Sequence, residues 1–229
     1  MGDIMNELQL VIFDLDGVIT ETSNQHYTAW KQLAGELGIE IDLAFNETLK
    51  GVSRMDSLER ILTRGNRQND YTEAEKIELA TKKNSSYVNM ISKFTRDNVF
   101  PGIVELLNNL KAQGIKIALG SASKNGPRLL NSMDITNYFD YIVNPALVNG
   151  KPNPDIFLKA ADMLMVDPSK CIGIEDAVSG ITAINAAGMF SVGIGDKTIL
   201  SKANIVYNEP KDIDLEEIKN LIQKRKKDD

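Results

Sequence analysis

The sequence predicts an α/β fold: a doubly wound parallel sheet with a helical domain inserted after its first strand. Three observations carry this expectation. Short, nearly continuous apolar runs recur along the chain. From residue 102 onward they alternate with helix-like segments. Residues 20–95 hold no such run, and their apolar residues recur instead at helical spacing. Runs of this kind are what strands look like when both faces of a sheet are covered, and alternation with helices is the pattern of a sheet wound on both sides.

In chain order the runs are Leu10-Val11-Ile12-Phe13, Ile115-Lys116-Ile117-Ala118-Leu119, Tyr141-Ile142-Val143, Cys171-Ile172-Gly173-Ile174, Phe190-Ser191-Val192-Gly193-Ile194 and Ala203-Asn204-Ile205-Val206. Helices are expected over 102–113, 125–133, 154–165, 177–187 and 214–226, the first punctuated by Pro101-Gly102 and Gly114. In the insert, helical spacing links Trp30, Leu33 and Leu37, then Leu58, Ile61 and Leu62, then Ile77, Leu79, Tyr87, Met90 and Ile91, with Ser53 as a helix N-cap. The expected division is a sheet domain over 1–19 and 96–229 and a helical cap over 20–95, placed across the end of the sheet.

The length of 229 residues suffices for one such domain with an insert. A composition of 42% apolar and 25% charged residues is that of a globular chain. A net charge of −6 argues against a nucleic-acid partner, which would call for a basic face. With one cysteine, Cys171, no intrachain disulfide can form, which fits a reducing compartment. The segment Met1–Glu7 lacks a basic region followed by an apolar stretch, and no apolar run approaches a membrane span. A cytoplasmic protein is expected, with nothing that demands more than a monomer. The basic run Lys224-Arg225-Lys226-Lys227 reads as a solvated helix end.

Function is legible at the strand ends. Asp14-Leu15-Asp16-Gly17 follows the first run and Gly120-Ser121 the second; Lys151 comes a short loop after the third, and Glu175-Asp176 follow the fourth. In a parallel sheet these ends share one edge, where open α/β folds bind ligands. Asp14 and Asp16, two apart on extended chain, point to one side and Leu15 to the core. Crowded carboxylates raise each other's pKa, a conflict that a hard divalent cation such as magnesium relieves. Lys151 and Ser121 suit the oxygens of a transferred phosphate. One aspartate can attack phosphorus and the other can move a proton. Any one of these residues is readily explained as a turn residue or cap; the set at successive strand ends is not.

These residues, in this order and spacing, resemble the haloacid dehalogenase-like phosphotransferase superfamily: Asp14-Leu15-Asp16-Gly17-Val18 its first motif, Ser121 its second, Lys151 its third, and Glu175-Asp176 its fourth. The resemblance implies that Asp14 is the nucleophile and Asp16 the general acid/base. It also implies a magnesium site of Asp14, the Asp16 carbonyl, Glu175 and Asp176, and a mobile helical cap after the first strand.

Further pieces resemble the sugar-phosphate mutases of that superfamily over roughly residues 8–222: Thr22, His26 and Trp30; Lys50-Gly51-Val52-Ser53-Arg54; Lys83-Asn84; and Ser121-Ala122-Ser123-Lys124-Asn125-Gly126. The resemblance implies that Arg54, assisted by Ser123, Lys124 and Asn125, grips the phosphate not being transferred. Thr22, His26, Trp30, Gly51, Ser53, Lys83 and Ala122 would border the substrate. The implied reaction interconverts β-D-glucose 1-phosphate and D-glucose 6-phosphate, primed by glucose 1,6-bisphosphate; the alternative is a phosphatase of a small sugar phosphate. A mutase passes through a bisphosphate and needs a second anion site. Arg54 offers a planar fork for it, and Lys124-Asn125-Gly126 at a helix start offers amides. Glu21 and Gly120 depart from the usual pattern without touching the expected chemistry. His26 is the sole histidine.

Overall fold

The computed structural model describes residues 8–49 and 52–228. The chain divides into two compact units, Met1–Glu21 with Thr95–Asp229, and Thr22–Phe94.

The first unit is built on a parallel sheet. Its strands are β1 (Leu10–Phe13), β2 (Lys116–Leu119), β3 (Tyr141–Ile142), β4 (Cys171–Glu175), β5 (Phe190–Ile194) and β6 (Ile205–Tyr207). Their order among the described residues is β3-β2-β1-β4-β5-β6. The chain therefore builds outward from β1 on one side, then crosses back to build outward on the other. This reversal beside β1 is a topological switch point, where such sheets form a crevice. Phe13 lies in register with Leu119 on one side and Ile174 on the other, so the residues after β1, β2 and β4 emerge side by side.

The predicted runs become these strands with small shifts. The third shortens by Val143, and the last starts at Ile205 and runs to Tyr207. β1, β4 and β5 are buried throughout, as strands covered on both faces must be. The helices of this unit are α5 (Ile103–Ala112), α6 (Gly126–Ser132), α7 (Asp155–Met163), α8 (Val178–Ala186) and α9 (Leu215–Asp228). Leu10 and Ile12 of β1 share one apolar cluster with Phe157 of α7 and Ile181 and Ile184 of α8. The approach of α8 to β4 is close enough that a Cβ at Gly173 would stand 2.5 Å from the Ile184 side chain.

The second unit is helical: α1 (Ser23–Glu36), α2 (Leu43–Glu47), α3 (Arg54–Arg64) and α4 (Glu73–Ile91). Local chemistry fixes the starts of the last two. Ser53 Oγ accepts from Asp56 N at the head of α3, and Thr72 and Glu75 form a capping box at the head of α4. Trp30, Leu33, Leu58, Ile61 and Leu62 belong to its buried core.

The inward stripe of α4 differs from the one that apolar spacing predicts. Lys76, Ala80, Lys83, Tyr87 and Ile91 are the buried residues, while Ile77 is 57% exposed. Tertiary partners override hydropathy here. The Lys76 ammonium reaches Glu59 at 2.5 Å, and Lys83 lies among aromatic rings.

Candidate active site

In the sheet unit, β1 delivers Asp14 directly: its amide donates to the Ile174 carbonyl of β4, and Gly120 N, after β2, donates to the Phe13 carbonyl. The chain then turns tightly. The Leu15 carbonyl accepts from Ile19 and Thr20, Gly17 N donates to Thr20 O, and the Thr20 hydroxyl ties the turn to the Asn98 carbonyl. Leu15 is fully buried, as the alternation along extended chain requires. Gly17 has φ +76°, and a Cβ there would collide with Asp176 Oδ2 at 2.1 Å. A glycine at 17 thus lets the Asp14 turn and Asp176 lie against each other.

The strand-end residues meet around Lys151. Its ammonium donates to Asp14 Oδ1 at 2.6 Å and to Glu175 Oε1 at 2.5 Å, and it lies 5.3 Å from the centroid of the Phe157 ring. Burial works against this charge, but Asp14 and Glu175 outweigh burial and raise its pKa, so Lys151 stays protonated. The second oxygen of Glu175 accepts from Ala177 N. Ser121 is buried, and its Oγ accepts from Ser123 N, which orients the hydroxyl proton as the remaining donor.

Around this ammonium lies an excess of negative charge. Asp176 is pushed up to about 8, first by the protein that crowds it and then by repulsion from Glu175, Asp14 and Asp16. The donor set is entirely hard oxygen, which suits magnesium in charge and chemistry. The family resemblance names three carboxylates, Asp14, Glu175 and Asp176, together with the Asp16 carbonyl for that ion. Among the described residues, no three Asp, Glu, His or Cys side chains stand together as an ion cage. Glu175 has both oxygens engaged, one by Lys151 and one by Ala177 N, and Lys151 also draws Asp14 to itself.

At the Lys124-Asn125-Gly126 helix start, the amides of Asn125 and Gly126 find partners inside the turn. Asn125 N donates to Ser123 Oγ, and Gly126 N donates to the Ser123 carbonyl. The amides at 125 and 126 are therefore spent within the turn, and the short α6 adds little dipole. The polar side chains at this turn are the Ser121 and Ser123 hydroxyls, the half-buried Asn125 amide and the exposed Lys124 ammonium. Ala122 is exposed beside them.

The helical unit assembles a second constellation. Lys83 Nζ lies 2.7 Å from His26 Nδ1, over the Trp30 ring at 4.6 Å and the Tyr87 ring at 5.0 Å. His26 stacks on Tyr87 with ring centroids 4.0 Å apart, and the Tyr87 hydroxyl donates to Thr22 Oγ1 at 3.2 Å. Burial, then Lys83 and Arg54, hold the His26 pKa well below its ordinary value. The imidazole is neutral, and Nδ1 is the acceptor that faces the ammonium. Trp30 is 4% exposed within the helical core, so its link to this group runs through Lys83. Arg54, the first residue of α3, is half-buried and donates to Asn84 Oδ1 at 2.7 Å. Ser53 is occupied with capping α3, its hydroxyl donating to Asp56 Oδ2. Gly51, with Lys50, lies outside the described residues.

Sequence reasoning placed Tyr87 only in the apolar stripe of its helix, although it contacts Thr22, His26 and Lys83. Sequence reasoning missed Gly180. A Cβ there would stand 1.9 Å from Glu175 Cδ, so the carboxylate that holds Lys151 rests directly on α8 backbone. An isolated glycine in a predicted helix is the signal that could have found it.

This fold and strand-edge set define a class. Residues 8–188 match the model of the haloacid dehalogenase-like hydrolases, and the chain belongs to that family. It is 49% identical over 210 residues to the β-phosphoglucomutase of Bacillus subtilis (strain 168), covering 91% of this chain and 93% of that one. The crystal structure of a β-phosphoglucomutase from Clostridium difficile matches with a TM-score of 0.92 at 47% identity, over 95% of this chain and 98% of that one. A phosphorylated-carbohydrate phosphatase of Thermotoga maritima is 30% identical, covering 80% of this chain and 82% of that one.

Proposed function

We infer that this enzyme is a β-phosphoglucomutase, an isomerase that interconverts β-D-glucose 1-phosphate and D-glucose 6-phosphate through glucose 1,6-bisphosphate. The observation that carries the reading is the pair of constellations. The sheet unit offers a nucleophile with its phosphate-directed cation, Asp14 and Lys151 at 2.6 Å. The helical unit offers a further half-buried guanidinium, Arg54. A phosphatase needs one phosphate grip; a mutase needs two. The high identity to named β-phosphoglucomutases over nearly the whole chain supports the same reading.

In this scheme a carboxylate oxygen of Asp14 attacks phosphorus, the sugar oxygen leaves, and Asp16 supplies the proton that the leaving oxygen takes. Asp16 later receives the proton of the sugar hydroxyl that attacks the aspartyl phosphate. Lys151 and the Ser121 hydroxyl bind the transferred phosphoryl oxygens. Asp14, the Asp16 carbonyl, Glu175 and Asp176 would hold magnesium, which would neutralise charge on the transferring phosphoryl group. Lys151 would release Glu175 for that role. Arg54 from the helical unit and Ser123, Lys124 and Asn125 from the sheet unit are assigned to the other phosphate. Thr22, His26 and Lys83 position the sugar, with Trp30 beneath Lys83. The Thr22–Phe94 unit serves as the cap, which excludes water from the aspartyl phosphate. Glucose 1,6-bisphosphate is the primer. The enzyme works in the cytoplasm as a monomer; its single cysteine fits a reducing compartment, and among the described residues no helix is long and apolar enough to cross a membrane.

A ³¹P NMR time course with β-glucose 1-phosphate, magnesium and a trace of glucose 1,6-bisphosphate tests this. Glucose 6-phosphate without inorganic phosphate is the expected outcome. Inorganic phosphate alone would make the enzyme a phosphatase, the activity that the 30% identical relative is named for.

A further inference from the structure

The structure assigns to Asn84 the task of aiming Arg54: it is a positioning residue whose neutral amide fixes the guanidinium for an anion without cancelling its charge. This rests on the reading of Arg54 as a phosphate ligand.

Arg54 Nη2 donates to Asn84 Oδ1 at 2.7 Å, joining the first residue of α3 to the middle of α4. A free arginine side chain samples many rotamers, and binding an anion with it costs the entropy of choosing one. A fixed hydrogen bond on one edge of the fork removes part of that cost before ligand arrives and leaves other N–H groups to bind.

The choice of partner carries the rest of the argument. An aspartate at 84 would accept from the same nitrogen more strongly, as charged acceptors do. It would also neutralise the guanidinium and repel an incoming phosphate. Asparagine holds the geometry and keeps the charge. It is a poor residue for a helix interior, so helix propensity is not what selects it. Its neighbour Lys83 contacts His26 from the same turn of α4, and the cause that lowers the Arg54 pKa is burial. That turn of α4 therefore holds two cationic side chains in place, its own Lys83 against His26 and, through Asn84, Arg54 of α3.

The test is a double-mutant cycle on the mutase reaction with Arg54→Ala, Asn84→Ala, Asn84→Asp and the double variant Arg54→Ala/Asn84→Ala. Thermal unfolding of each is followed in parallel. Loss of a hydrogen bond to a charged group predicts about a tenfold fall in kcat/KM for Asn84→Ala, carried mainly by KM. Asn84→Asp, though isosteric and still an acceptor, is expected to fall further than Asn84→Ala. The double variant is expected to be no worse than Arg54→Ala alone. A merely structural Asn84 gives the opposite order, with Asp milder than Ala, and additive losses in the cycle; either result overturns the assignment. Normal kcat/KM in both Asn84 variants alongside an impaired Arg54→Ala overturns it while sparing the role of Arg54. Normal turnover in Arg54→Ala overturns the phosphate-ligand reading itself, and this inference with it.

Discussion

The Lys151 ammonium donates to Asp14 and Glu175 at once, at 2.6 and 2.5 Å, with its side chain only 4% exposed. One cation thus holds the first and fourth strand ends together from a loop after the third. Removing it leaves two buried carboxylates without a counter-charge. Breaking a buried ion pair from one side costs about 3–5 kcal/mol, so Lys151→Ala is expected to lose about that much stability in urea denaturation. Magnesium should recover part of the loss, since the magnesium site proposed above uses the same carboxylates of the folded state. A stability equal to that of the parent would mean that the pair is not formed in solution.

Asp14→Asn should abolish turnover, because an amide cannot form the aspartyl phosphate. Asp16→Ala should keep the nucleophile and lose roughly 10²–10⁴-fold in kcat, the usual worth of a general acid/base. Rapid-quench assays on both variants separate the roles. Turnover above background in Asp14→Asn would rule out covalent catalysis through this residue.

His26 sets a pH dependence for the helical unit. Its pKa in the folded protein lies well below the ordinary 6.5. As pH falls through 6.5, the unfolded chain takes up a proton that the folded chain refuses. Stability is complete above that pH and declines below it, by up to about 1.4 kcal/mol per pH unit until the folded pKa is reached. His26→Gln should remove this slope from a series of denaturation curves between pH 7 and 5. An unchanged slope would assign it to other groups.

Gly180→Ala places a methyl group where Glu175 now lies. Overpacking of this kind costs about 1–3 kcal/mol, and here it must also move the carboxylate that holds Lys151. The expected result is weakened magnesium affinity by isothermal titration together with a lowered melting temperature. Gly188→Ala is a fitting control for space. Nothing lies within 4 Å of a Cβ there, although its φ of +73° adds backbone strain. A magnesium affinity in Gly180→Ala equal to that of the parent would show that Glu175 can shift without consequence.

The sequence by itself determined the parallel sheet and the residues at its edge. Runs such as Leu10–Phe13 and Cys171–Ile174 are buried on both faces, and that burial is written directly in their composition. Asp14, Ser121, Lys151 and Glu175 were legible because each lies just beyond such a run or one short loop away, and parallel strands place all those ends on one side. Contacts remote in sequence were decided by the tertiary structure alone. Hydropathy points Ile77 inward, yet α4 buries Lys76 and Lys83, because Glu59 and the rings of Trp30 and Tyr87 make those charges cheaper to bury than exposure of their face would suggest. The helix start at 125–126 looked like an array of free amides until the turn closed on Ser123. Spacing likewise brings the carboxylates and Lys151 to one edge, but it cannot say that the ammonium will hold Asp14 and Glu175 together. Periodicity records which face of an element is apolar; which polar group satisfies which depends on three-dimensional distance, and that exists only once the chain has folded.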